Sequence, residues 1–163
     1  MKEIKYIPAF QIISGRLKKT EQEYGIEFWD DRDPKNKDRQ GESASYIFQK
    51  TRPCNVNLGK KKIHKRGDTF SLIENGKKVA IAVVSYFHQG YADVEIETFE
   101  PHRRKGYATI LFGWVSDWLT RNGYIHESSC DTRNIASLKM HQKLGFEIIG
   151  HIRWTKKVEK IQK

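Results

Sequence analysis

From Tyr91 to Phe99 acidic and apolar positions alternate, Asp93, Glu95 and Glu97 falling between Ala92, Val94, Ile96 and Thr98. A period of two is that of a strand with one buried face. Just upstream, Phe70–Glu74 and Lys78–Tyr86 flank Asn75-Gly76, a pair that accepts the positive φ values of a two-residue hairpin turn. A second turn at His88-Gln89-Gly90 leads into the acidic strand, so the middle of the chain reads as an antiparallel meander of three strands. Beyond Pro101 and Gly106 the period becomes helical. Ala108, Leu111, Phe112, Val115 and Leu119 share one face, Trp114 and Trp118 lie off it, and Asn122-Gly123 stops the helix. Tyr124–Cys130 fits a further strand. Asn134 then caps a second helix carrying Ala136, Met140 and Leu144. Gly145 ends it, Phe146 folds back onto it, and Glu147–Trp154 alternates as a last strand.

The first third is less patterned. The spacing of Phe10, Ile13 and Leu17 predicts a helix over Pro8–Tyr24, ended by Gly25. Trp29–Ser45 is dense in Asp, Lys, Arg and Asn and reads as an exposed loop, with Tyr46-Ile47-Phe48 a short apolar island after it. Lys60–Arg66 is a basic run. With no aromatic residues interleaved to stack bases, it reads as a solvated loop before a strand rather than an RNA site. Thr155–Lys163 resembles a frayed basic tail. A chain of 163 residues with this alternation of strands and helices is expected to form one α/β domain.

Composition adds a preference for anions: 30 basic against 20 acidic residues leave a net charge of +10. Cys54 and Cys130 are too far apart in the chain to mark a metal site or a disulfide framework. The longest uncharged stretch, Val79–Ala92, is interrupted by His88, Gln89 and Gly90 and falls short of the ~18 apolar residues of a membrane span. With no signal-peptide pattern at Met1–Lys5, the expectation is a soluble cytoplasmic protein, not a membrane one.

The chemistry concentrates at Glu100-Pro101-His102-Arg103-Arg104-Lys105-Gly106-Tyr107-Ala108. A helix that starts at a basic, glycine-containing turn presents unpaired N–H groups and the positive end of its dipole, which suits a phosphate. Arg103-x-x-Gly106-x-Ala108 alone is a weak pattern. Its place between an amphipathic strand and helix, followed by Asn134-x-x-Ser137-x-x-Met140-His141-x-Lys143-Leu144-Gly145-Phe146, makes it specific. From Phe70 to about Trp154 the chain closely resembles the GNAT superfamily of acyl-CoA-dependent N-acetyltransferases. Glu95–Thr109 and the Cys130 to Asn134 spacing look most like its zwittermicin-resistance type.

The resemblance implies a mixed, mostly antiparallel central sheet flanked by helices in a single domain, with 70–154 as the acyl-CoA-binding core and 1–69 as a variable acceptor-side region. It implies acetyl-CoA as co-substrate, no metal, and a primary amine as acceptor, with homodimerisation left open. The pyrophosphate would lie on Arg104, Lys105, Gly106, Tyr107, Ala108 and Thr109, with Arg103 adding charge. The pantetheine arm would bond the backbone of Ile96, Glu97 and Thr98, and Asn134 would contact the coenzyme. Glu97 and Glu95, on one face of the strand, are the candidate bases, with Glu127, Ser129 and Asp93 as weaker ones. Relatives usually carry a tyrosine acid seven residues after the capping asparagine. Here that position is His141, read either as a substitute acid or as a packing residue. A non-catalytic acyl-CoA-binding or RNA-binding module is the alternative function.

Overall fold

The computed structural model describes residues 26–39, 43–88, 90–103 and 105–154. Their strands are β1 (Ile26–Asp30), β2 (Ser45–Lys50), β3 (Lys62–Arg66), β4 (Thr69–Glu74), β5 (Lys77–His88), β6 (Tyr91–Thr98), β7 (Ile125–Asp131) and β8 (Phe146–Trp154). The helices are α1 (Tyr107–Arg121) and α2 (Ile135–Lys143). The strands form one sheet in the order β1-β8-β2-β7-β6-β5-β4-β3. Every neighbouring pair is antiparallel except β6 and β7. This is the mixed, mostly antiparallel sheet with flanking helices that the resemblance implies. Asn75 and Gly76 take φ values of 52° and 75°, the left-handed pair a tight hairpin demands.

Leu111, Val115 and Leu119, the stripe read from α1, are fully buried in one cluster with Ala80, Ala82 and Ala92 of β5 and β6. Small residues on the sheet let the helix settle close to it. The segment after β2 crosses α1 on its other side. A Cβ at Gly113 would lie 2.7 Å from Val56 Cγ2 and 2.9 Å from Leu144 Cδ2, so a larger residue there would force these side chains to shift. There Lys50 Nζ, at the end of β2, lies 3.1 Å from Asp117 Oδ1 of α1, the two side chains 2% and 7% exposed. Lys50 also donates to the carbonyl of Leu144.

The first third differs most from expectation. The apolar island Tyr46–Phe48 is β2, threaded between β7 and β8 with Ile47 and Phe48 fully buried. Its register, Tyr46↔Cys130 and Phe48↔Ile148, joins positions far apart in the chain, so local periodicity carries no trace of it. Trp29, expected in an exposed loop, lies in β1 and stacks on His151 at 5.2 Å between ring centroids. Among its described residues the loop holds a short 3-10 turn, Pro34–Asn36, begun by proline and capped by Asp33. Of the basic run, Lys62–Arg66 is a strand rather than a loop. It pairs with β4 at the sheet edge, where exposed Lys and Arg discourage further strand addition. The meander thus has four strands. On α2, Ala136 is exposed and His141 takes the buried position. The helix expected over 8–24 and the tail from 155 lie outside the described residues.

Candidate active site

β6 and β7 pair at only two positions, Tyr91↔Ile125 and Ala92↔His126, and then part. The direction of each β6 peptide follows from its two ends. The Gly90 carbonyl accepts from Ile125 N at 2.9 Å on the β7 side, and Phe99 N donates to the Val79 carbonyl at 3.1 Å on the β5 side. Period two therefore turns the peptide groups of Val94, Ile96 and Thr98 into the gap and those of Glu95 and Glu97 toward β5. Val94 N donates to Asp93 Oδ1 at 2.7 Å, so a carboxylate replaces the missing strand partner. At the outer end Arg103 Nε donates to the Thr98 carbonyl at 3.1 Å, tying the basic turn to the strand. Ile96 lies between these two capped positions.

A cavity of about 220 Å³ opens into the gap. Asp93, Val94 and Ile96 line it from β6, Ser128 and Ser129 from β7, Ala108 and Phe112 from α1, and Met140 and His141 from α2. Sequence reasoning put the candidate carboxylates at Glu95 and Glu97. Both side chains are exposed and neither lines the cavity, whereas Asp93, weighed as a weaker base, does. Asp93 Oδ1 is also 3.0 Å from His126 Nε2, and His126 Nδ1 is 2.7 Å from Ser116 Oγ, a buried chain running from the cavity into α1. Glu127 is buried on the neighbouring strand. Burial and then the Glu127 charge raise the Tyr91 hydroxyl above its usual range.

At the turn, Gly106 is the N-cap of α1 with φ 78°, and its carbonyl accepts from Ile110 N. The N–H groups of Tyr107, Ala108 and Thr109 precede the first intrahelical bond and have no acceptor within the helix. Lys105 is exposed beside them, and Arg104 lies outside the described residues. Tyr107 is buried, and its hydroxyl donates to the Glu74 carboxylate, itself 3.3 Å from Lys61 Nζ. These bonds hold the start of the helix against the β4–β5 hairpin. Asn134 Oδ1 accepts from Ser137 N at 3.1 Å, the expected cap of α2. The adjacent Arg133 binds Asp131 through two N–H groups and holds its carboxyl down at about 2.

His141 is 3% exposed and stacks on Phe48 at 4.2 Å between centroids. Its Nδ1 is 2.7 Å from the Ser137 carbonyl, which can only accept, so Nδ1 carries the proton. Nε2 is then an acceptor, and Ser128 Oγ, 2.9 Å away, donates to it. Burial pushes the imidazole below its ordinary value. The bond to Ser137 opposes that shift, His126 adds to it and Asp93 works against it. His141 therefore rests neutral at pH 7. Ser128 was not singled out in the sequence. The available signal was period two from His126, which turns Ser128 toward the helices. Cys54 and Cys130 are half-buried and burial raises both thiols, which argues against a thiolate nucleophile. Among the described residues no three metal-ligating side chains gather, and no helix is long and apolar enough to cross a membrane.

A family model described as GNAT acetyltransferase matches residues 9–153. Among solved structures, a GNAT-family acetyltransferase from Colwellia psychrerythraea is similar at 15% identity and TM-score 0.55, over 77% of this chain and 62% of that one. A GNAT-family protein from Novosphingobium aromaticivorans is similar at 12% identity and TM-score 0.52, over 70% of this chain and 66% of that one. The chain thus spans less than two thirds of the length of either. No curated protein matches it.

Proposed function

Because this chain belongs to the GNAT acetyltransferase family, we propose that it transfers acetyl from acetyl-CoA directly to a primary amine. The observation that carries this reading is the parting of β6 from β7 after two pairs, around a cavity that leads to the N-terminus of α1. Open peptide edges on β6 suit an extended pantetheine arm, and Ile96 N–H, directed into the gap, suits the thioester carbonyl whose charge grows in the transition state. The pyrophosphate lies on the free N–H groups of Tyr107, Ala108 and Thr109 and on Gly106, with Arg103, Arg104 and Lys105 supplying charge. Asn134, the N-cap of α2, contacts the coenzyme.

Glu95 and Glu97, exposed on the strand face opposite α1, attract a cationic acceptor and take its first proton through water. That role favours a polyamine, an amino sugar or antibiotic, or a lysine or N-terminal amine, with residues 1–69 shaping the acceptor side. The unbridged thiols suit a reducing compartment, and we assign the activity to the cytoplasm.

The test is calorimetric titration of acetyl-CoA, repeated with Lys105→Glu, Gly106→Glu. Micromolar binding by the intact protein, weakened about 100-fold or more in the variant, is the expected result; that ratio is about 2.7 kcal/mol. Absence of binding to the intact protein removes the reading. Binding with no thiol release on any amine leaves the binding-module alternative.

A further inference from the structure

Two side chains in the cavity form a hydrogen-bonded pair with its polarity set. Ser128 Oγ donates to His141 Nε2 at 2.9 Å, while Nδ1 is fixed by the Ser137 carbonyl at 2.7 Å. Phe48, Phe112 and Phe146 surround the ring at 4.2 to 5.4 Å between centroids, and its Nε2 meets the cavity through the bond to Ser128. In this state His141 has no proton to give to the cavity, so it becomes an acid only after it has first accepted one. That requirement matches the second half of acyl transfer to an amine.

We propose that Ser128 is a catalytic residue that works with His141 as a two-way proton relay between the attacking nitrogen and the departing sulfur. The inference rests on the acetyl-transfer reading above. After the neutral amine attacks the thioester, the new C–N bond leaves a positive nitrogen and an oxyanion. The nitrogen gives its proton to Ser128 Oγ as the Ser128 hydroxyl proton passes to His141 Nε2. The oxyanion then re-forms the carbonyl and expels the thiolate. The thiolate takes a proton from Ser128 Oγ while Nε2 returns the one it held. The amide and free thiol leave, and both side chains end as they began. One proton has moved from nitrogen to sulfur, and no covalent acyl-enzyme forms.

The groups facing the ring from neighbouring elements are Asp93 of β6 and His126 of β7, which hold each other at 3.0 Å. Lys50 of β2 lies over the Phe146 ring and is held by Asp117 of α1. Cys130 of β7 is a raised, neutral thiol. None of these supplies a hydrogen bond to the imidazole; Asp93 and His126 act on it through space, in opposite directions.

The test uses ethylamine as probe, since it is small enough to enter with the acetyl group, and follows thiol release from acetyl-CoA. Ser128→Ala is expected to lower kcat by about 100-fold, with the KM for acetyl-CoA within about twofold of the intact protein. Ser128→Thr, which keeps the hydroxyl, is expected to restore most of the rate. The intact protein should show a curved dependence of kcat on deuterium fraction, from two protons in flight, which becomes linear in Ser128→Ala. His141→Gln should lose the fall in kcat at low pH that comes from protonating the imidazole, a fall centred below its ordinary value of about 6.5. No thiol release by the intact protein with ethylamine or with any larger primary amine put in its place overturns the transfer reading and this proposal with it. Normal turnover in Ser128→Ala, or a linear deuterium dependence in the intact protein, overturns the relay and leaves the transfer reading standing.

Discussion

Asp117→Ala is expected to lower the stability of the protein by about 3–5 kcal/mol, because it leaves the buried Lys50 ammonium without its counter-charge. Lys50 has few alternatives. Its side chain is 2% exposed, and besides Asp117 it reaches the Leu144 carbonyl. Asp117 has further work at the same place, accepting from Asn55 N at 2.9 Å and Cys54 N at 3.2 Å. A Lys50→Met, Asp117→Leu double variant should recover part of the loss by removing both charges. Recovery stays incomplete because two backbone N–H groups lose their acceptor, at about 1–3 kcal/mol for each that stays buried. Urea denaturation at constant m reads both numbers, and a loss under about 1 kcal/mol in the single variant would show the pair to be dispensable.

The same contacts set an acid limit. Burial on its own would raise the Asp117 carboxyl, but the Asn55 and Cys54 N–H groups and Lys50 together outweigh it and hold the group below its ordinary range. A carboxyl depressed in the folded state stabilises the fold above its unfolded value, about 3.9, and loses that contribution as pH falls through the folded one. Thermal melting from pH 7 down to pH 3 should therefore fall more steeply for the intact protein than for Asp117→Ala. Parallel curves would exclude the linkage.

Gly145→Ala is expected to cost about 3 kcal/mol or more, from two causes acting at once. Its φ of 87° lies in the left-handed region, and an added Cβ would sit 2.2 Å from the Arg52 carbonyl oxygen. The backbone there cannot retreat freely, because the Gly145 carbonyl accepts from Thr51 N at 2.9 Å and Arg52 N at 3.3 Å. Gly106→Ala is the control. It has a similar φ of 78° but nothing within 4 Å of the added carbon, so strain alone should cost about 1 kcal/mol. Equal losses in the two variants would show that contact with Arg52 contributes nothing.

Three kinds of feature were legible from residues close together in the chain. Asn75-Gly76 makes its turn because both residues accept positive φ, whatever surrounds them. The acidic period-two run became β6, and the helical stripe became the buried face of α1. Asn134 caps α2 through an N–H three residues on. Each is decided by backbone geometry and neighbours within a turn or two, which a linear reading contains. The GNAT-like order of strand, basic turn and helix was legible for the same reason.

What the tertiary structure alone decided depends on residues brought together from afar. β2 read only as a short apolar island because its partners lie on β7 and β8, and its last residue, Lys50, bonds a carbonyl 94 positions away. Asp93 looked like one more acidic residue on a wet face until the parting of β6 from β7 set it against His126, 33 positions on. Ser128 carried no signal by itself. It became a candidate because α2 folds back to bring His141 within 2.9 Å of it, across 13 positions, in a tautomer that the Ser137 carbonyl selects. Local patterns set backbone shape, whereas the proton-carrying contacts of this site need a packed core to hold two distant side chains at bonding distance.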